Sequence, residues 1–199
     1  MPAWQSLLDW WFGSAATAGE VAAQRSQLWF GYRAEQDEQA RQRFGDLCAS
    51  AQSGGLQDWA EQPQGWLALL LLLDQLPRML HRGTAQAFSA DSRARSVLNA
   101  GLARGFDRQL PAIQQVFVYL VLEHAEDLAA QDQAVAAFQR LRDNAGLAEH
   151  ELFNGFLDFA IRHQQVIARF GRFPHRNDSL GRVSTPREQD FLREPGSRF

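Results

Sequence analysis

Apolar residues recur at spacings of three and four along nearly the whole chain, and the strict alternation of a half-buried strand is absent. Ala, Leu, Gln, Glu and Arg dominate over the β-branched residues, which favours helix at the same positions. The pattern predicts helices over residues 3–12, 20–30, 34–52, 64–76, 84–103, 111–129, 131–143, 147–170 and 185–193. Gly54-Gly55, Pro63, Pro77, Gly83, Gly105, Pro111, Gly146 and Gly171 punctuate them. Two ends carry explicit signals. Thr185, Pro186 and Glu188 form a capping box with proline at the first helical position, and Gly171 stands where a left-handed C-cap belongs. With no long linker, the expected fold is a single all-α domain over residues 1–199, of about eight or nine helices.

Trp66 to Leu73 is apolar on every side, so as a helix it must be buried all round and form the centre of the bundle. It runs into Asp74-Gln75-Leu76-Pro77-Arg78. Pro77 is expected to stop or kink it, freeing carbonyls and delivering polar groups to the end of the most buried helix. Other polar residues fall on apolar stripes. His124 follows Phe117 and Leu120, and His163 follows Phe156 and Ala160, so both imidazoles are expected to face inward. One position round, Glu123 and Asp127 share a face four residues apart, and Asp91 lies with Phe88, Ala94 and Leu98.

Composition narrows the classes of function. All 20 basic residues are arginine, and the net charge of −3 offers no pull toward nucleic acid or an anionic membrane. Cys48 is the only cysteine, which excludes an internal disulfide and any multi-cysteine metal site; its helical setting predicts a buried small hydrophobe. The start, MPAWQSLLDWWFG, lacks a basic n-region, and the longest apolar run is far short of the ~20 residues of a membrane span. A soluble cytoplasmic protein without a membrane or nucleic-acid partner is expected. No cofactor motif, HExxH pair, Gly-rich phosphate loop or Gly-x-Ser-x-Gly elbow is present.

The arginines concentrate in RFGRFPHRND, residues 169–178, with Arg182 close behind. Guanidinium pairs with carboxylate in bidentate fashion and stays charged, so this turn is the natural partner for carboxylates on inward faces. The candidate site gathers His124, Glu123, Asp127 and His163 for proton transfer, with Asp74, Arg78, Asp91, Arg172, His175, Arg176 and Asn177 for binding. In one reading Arg172, Arg176 and Arg78 clamp a phosphate or carboxylate on a small anionic metabolite while an imidazole moves a proton. In the other the same residues are a structural ion-pair lock, and the chain is an interaction module offering a groove to a peptide or protein.

Three blocks carry a resemblance: LLLDQLPRMLHRGTAQAFSAD (residues 71–91), YLVLEHAEDLAAQ (119–131) and RFGRFPHRNDSLGRVSTPREQDFL (169–192). With the N-terminal LLDWWFG, they resemble a bacterial family known as domain of unknown function 924 over nearly the whole chain. The resemblance implies an all-helical, tetratricopeptide-like α–α superhelix, although no internal repeat of roughly 30–50 residues is visible. It implies no catalytic roles. Val121, Ala125 and Met79 stand where a proline, a serine and an asparagine are usual.

Overall fold

The computed structural model describes residues 2–199. Among them the chain is helical, without a strand. Helices α1 (Gln5–Phe12), α2 (Ala18–Phe30) and α3 (Ala34–Gln52) lead to a central rod of α4 (Pro63–Leu70), a widened π-turn (Leu71–Gln75) and α5 (Leu76–Leu80). Then follow α6 (Asp91–Ala103), α7 (Ala112–Glu123), α8 (Leu128–Asn144), α9 (His150–Phe170) and α10 (Pro186–Leu192).

Local chemistry explains the ends. Thr17 and Glu20 form a reciprocal capping box on α2, as Thr185 and Glu188 do on α10. Gly171 closes α9 in the left-handed conformation at φ +69°, which costs glycine nothing. In α3 the buried positions Ala40, Phe44, Cys48 and Ala51 follow the helical period, and the Cys48 thiol lies within hydrogen-bond reach of Leu72 O at 3.2 Å.

The central rod differs from expectation in one instructive way. Every residue from Gly65 to Pro77 is buried, as an all-apolar helix must be. Pro77, however, does not end the rod. It cannot donate a backbone hydrogen bond, and the chain accommodates it by widening into a π-turn, in which the Leu76 N–H reaches back to Leu71 O. Leu72 O, released from its usual partner, faces the Cys48 thiol; Asp74 O accepts from Arg78 Nη1 at 2.7 Å. The deviation places Asp74 inside the core rather than at a helix terminus.

Two expected helices are broken. The segment 84–103 is a short 3₁₀ turn (Ala85–Phe88) followed by α6, which starts at Asp91. The segment 111–129 stops at Glu123. Asp127 belongs to the next helix, capping α8 by accepting from the Ala130 N–H at 3.0 Å. The fully buried Gln131 bridges the break, its Nε2 donating to Glu123 O (2.6 Å) and Ala125 O (2.8 Å). Glu123 and Asp127 therefore do not share a helical face.

One large core fills the bundle, and a satellite cluster of Val166, Ile167, Phe173 and Phe191 ties the late segment to the end of α9. No helix among the described residues is long and apolar enough to cross a membrane.

Candidate functional site

Asp74 anchors the site from the π-turn and is 1% exposed. His124, the residue that caps α7, places Nδ1 2.8 Å from Asp74 Oδ1 and 2.9 Å from Oδ2. Gln75 Nε2 donates to Asp74 Oδ2 at 2.7 Å, and Arg78 Nη1 lies 3.2 Å from Oδ1. Arg78 also grips Asp91 through both guanidinium ends, at 3.0 and 2.9 Å. Asp91 is shared with Arg176, whose Nη1 is 3.5 Å away. Five predicted residues from four parts of the chain thus form one network.

Electrostatics assigns their charges. Burial alone would raise the Asp74 carboxyl, but Arg78 and His124 outweigh it and hold the group ionised, well below the usual carboxylate range. Burial lowers the His124 imidazole, with Arg78 opposing the raising effect of Asp74, so His124 is neutral at neutral pH. An ionised carboxylate can only accept, so the Nδ1 proton belongs to His124. Nε2 then carries the lone pair. The hydrogen bonds of this side chain run through Nδ1, and the ring is among the residues that line an open cleft. Burial and Arg78 bring Arg176 down to about 10, which leaves it charged.

That cleft, of about 570 Å³, lies between the start of α6, the connection from α7 to α8, and the turn after α9. Phe88, Asp91, Ser92, Arg95 and Ser96 line it from α6 and the turn before it, His124 and Glu126 from the α7–α8 connection, and Arg176 and Leu180 from the turn after α9. The Arg176 guanidinium packs between Phe88 (4.8 Å) and Phe173 (4.4 Å), and its Nε is buried without a partner.

Behind this cleft sits a second pair. His163 Nδ1 is 3.0 Å from Glu123 Oε1 and donates to Phe159 O at 2.9 Å. Burial, reinforced by Asp74, pushes the Glu123 carboxyl up to about 8, so it is protonated at neutral pH; its Oε2 is buried and unpartnered. Burial also depresses His163 to about 3 and His175, beside Arg176, to about 4. The two acids diverge because Asp74 is held by a guanidinium and an imidazole, while burial and the Asp74 charge outweigh the opposing Arg162 at Glu123.

Three predicted site residues lie elsewhere. Arg172 turns away from the cleft and clamps Glu188 through Nε (2.6 Å) and Nη2 (2.8 Å), fastening α10. Its distance in sequence from the acids said nothing of this competing carboxylate. Asn177 is wholly buried and organises its own turn, with Oδ1 accepting from Arg182 Nε and Nδ2 donating to Ser184 Oγ, each at 2.9 Å. Asp127 caps α8 and lies 3.5 Å from Arg95 on the cleft rim. Residues that sequence reasoning missed include Gln75, Arg95 and above all Glu126, which receives the Phe173 N–H (2.8 Å) and both Nη atoms of Arg182 (2.7 and 2.9 Å). The Asp127-Leu-Ala-Ala run is an N-cap signature that would have revealed the break beside Glu126.

The family model described as bacterial protein of unknown function (DUF924) matches residues 7–196. The chain belongs to this family. Its fold is similar to the solved structure of ATU0120, a protein of unknown function from Agrobacterium tumefaciens. That protein is 36% identical, with a TM-score of 0.74 over 89% of this chain and 99% of the other. No curated protein matches. In this DUF924 protein the network of Asp74, Arg78, Asp91, His124 and Arg176 is drawn from the segments that carried the resemblance.

Proposed function

We propose that the cleft binds a small anionic metabolite and that the Asp74–His124 pair acts on it as a general base. The observation that carries this reading is the state of Arg176. It is 5% exposed and charged, yet its Nε has no partner, and its nearest acid, Asp91, is already held in bidentate fashion by Arg78. A buried guanidinium so weakly compensated, among the residues that line an open cleft, favours an anion there. Arg95 on the rim adds a second cation, and Ser92 and Ser96 supply hydroxyls.

For chemistry, Asp74 fixes the His124 tautomer so that Nε2 carries the lone pair on a ring that lines the cleft, and its negative charge stabilises the imidazolium formed on proton uptake. The pairing is the acid–base unit of many hydrolases and transferases.

Inorganic phosphate is a suitable first probe. It is expected to raise the melting temperature of the wild-type chain, and Arg176→Gln and Arg95→Gln to remove that shift while circular dichroism reports an intact fold. Arg95 is a third exposed, so its variant stays folded even if Arg176→Gln does not. An undiminished phosphate shift in Arg95→Gln and in any folded Arg176 variant overturns the anion reading.

A further inference from the structure

His163 and His175 face an aromatic ring from a distant part of the chain. After α10, Gly196 at φ +76° turns the backbone, and the buried Ser197 anchors it by donating from Oγ to Leu192 O at 3.2 Å. Phe199 then lies over His163, with ring centroids 3.8 Å apart and planes 31° from parallel. Phe173 meets the same ring edge-on at 6.3 Å and 73°, and His175 does so at 5.8 Å and 67°. One near-parallel floor and two edge-on walls make a box shaped for a flat ring.

Phe199 fills this box incompletely. It is 38% exposed, and neither Arg198 nor Phe199 takes part in any hydrogen bond among the described residues. Two buried atoms on the residues around the box lack a partner: Glu123 Oε2, on the acid whose Oε1 lies 3.0 Å from His163 Nδ1, and Nδ1 of His175, whose ring is one of the walls. Each such orphan has lost its hydrogen bonds to water without gaining one from the protein. A ring carrying a hydrogen-bonding edge would stack where Phe199 does and engage one of them.

We propose that His163, Phe173 and His175 form a binding subsite for a planar aromatic ring with a polar edge, and that residues 195–199 are a strap whose Phe199 occupies it in the ligand's absence. The subsite is separate from the anion-binding reading, although the two share a wall: Arg176 covers Phe173 at 4.4 Å and also lines the cleft.

The test uses indole, a flat ring with one N–H, titrated into the full chain by two-dimensional amide NMR. An internal plug lowers apparent affinity by the fraction of time the site is open. Phe199→Ala is therefore expected to bind indole at least about tenfold more tightly than wild type, and adding His163→Ala to it should abolish binding. Equal affinity in wild type and Phe199→Ala, no binding to either, or binding that survives His163→Ala overturns the proposal. A second measurement needs no substitution. Saturating indole should release the strap of the wild-type chain, seen as sharpened amide signals for Ser197 to Phe199; strap signals that stay fixed while those around His163 shift also overturn it. Phosphate binding in the cleft would survive either failure, so the two readings are judged apart.

Discussion

Replacing Glu126 by alanine is the sharpest structural test of how the arginine-rich turn is held. Glu126 Oε1 accepts the Phe173 N–H, and the carboxylate spans both Nη atoms of Arg182. Arg182 in turn donates to Phe173 O at 3.1 Å and Asn177 Oδ1 at 2.9 Å, so one carboxylate fixes the whole bend against the start of α8. Alanine strands the N–H of a wholly buried residue, at about 1–3 kcal/mol. It also removes a bidentate pair whose partners are each about a quarter exposed, worth about 1 kcal/mol after solvent screening. The expected loss is roughly 2–4 kcal/mol, or about 10 °C in melting temperature for a chain of this size. Glu126→Gln keeps an acceptor for the N–H and should cost roughly half as much. Urea denaturation followed by circular dichroism measures both. A Glu126→Ala variant within about 0.5 kcal/mol of wild type would refute the reasoning; equal losses for alanine and glutamine would show that the charge pair, not the backbone bond, holds the bend.

Three further outcomes concern Glu123, Glu188 and Gly101. Glu123 has its carboxyl raised from 4.5 to about 8, so the folded state holds a proton that the unfolded chain has lost, and this contribution falls as pH rises through that window. The depressed histidines work in the opposite direction only below their ordinary 6.5, so urea midpoints between pH 6.5 and about 8 isolate Glu123; wild type should weaken there and Glu123→Gln should not. Glu188, lowered to about 2 chiefly by Arg172, stabilises above 4.5 and loses that contribution toward pH 2; Glu188→Gln should flatten the acid limb and speed amide exchange in α10. Gly101→Ala would drive a Cβ to within 2.1 Å of the Trp66 ring, which is 1% exposed and tethered by Nε1 to Val97 O, so overpacking should cost at least about 1–3 kcal/mol by denaturation.

The helical period made the architecture legible because burial and period coincide almost everywhere: Ala40, Phe44, Cys48 and Ala51 on α3, and Phe153, Leu157, Ala160 and His163 on α9. The period misled where a backbone break falls inside a stretch read as one helix, as between α7 and α8. Nothing between Leu122 and Leu128 is glycine or proline, and the break is stabilised by Gln131, eight residues beyond Glu123, through side-chain bonds that no local pattern announces. Asp127 was thus assigned a face when its role is a cap. Pro77 does free a carbonyl, Leu72 O, as a stop or kink would, but through a π-turn inside a continuous rod and not at a helix end.

The arginines show why the site was only partly readable. Carboxylates outnumber the positions where they are needed, and the sequence does not say which acid each guanidinium will choose. Arg78 takes Asp91, Arg82 takes Asp37, Arg172 takes Glu188 and Arg182 takes Glu126, each through two nitrogens. All four join segments far apart in sequence or cross a loop, where a planar fork fixes orientation as a lysine point charge cannot. Arg176 breaks this rule. It reaches a carboxylate that is already occupied, leaves Nε unpaired and spreads its face against Phe88 and Phe173. Arg25 and Arg93 also leave a buried Nε unpaired, but Arg176 is buried as a whole residue and lines the open cleft, which is why the anion proposal rests on it and not on them.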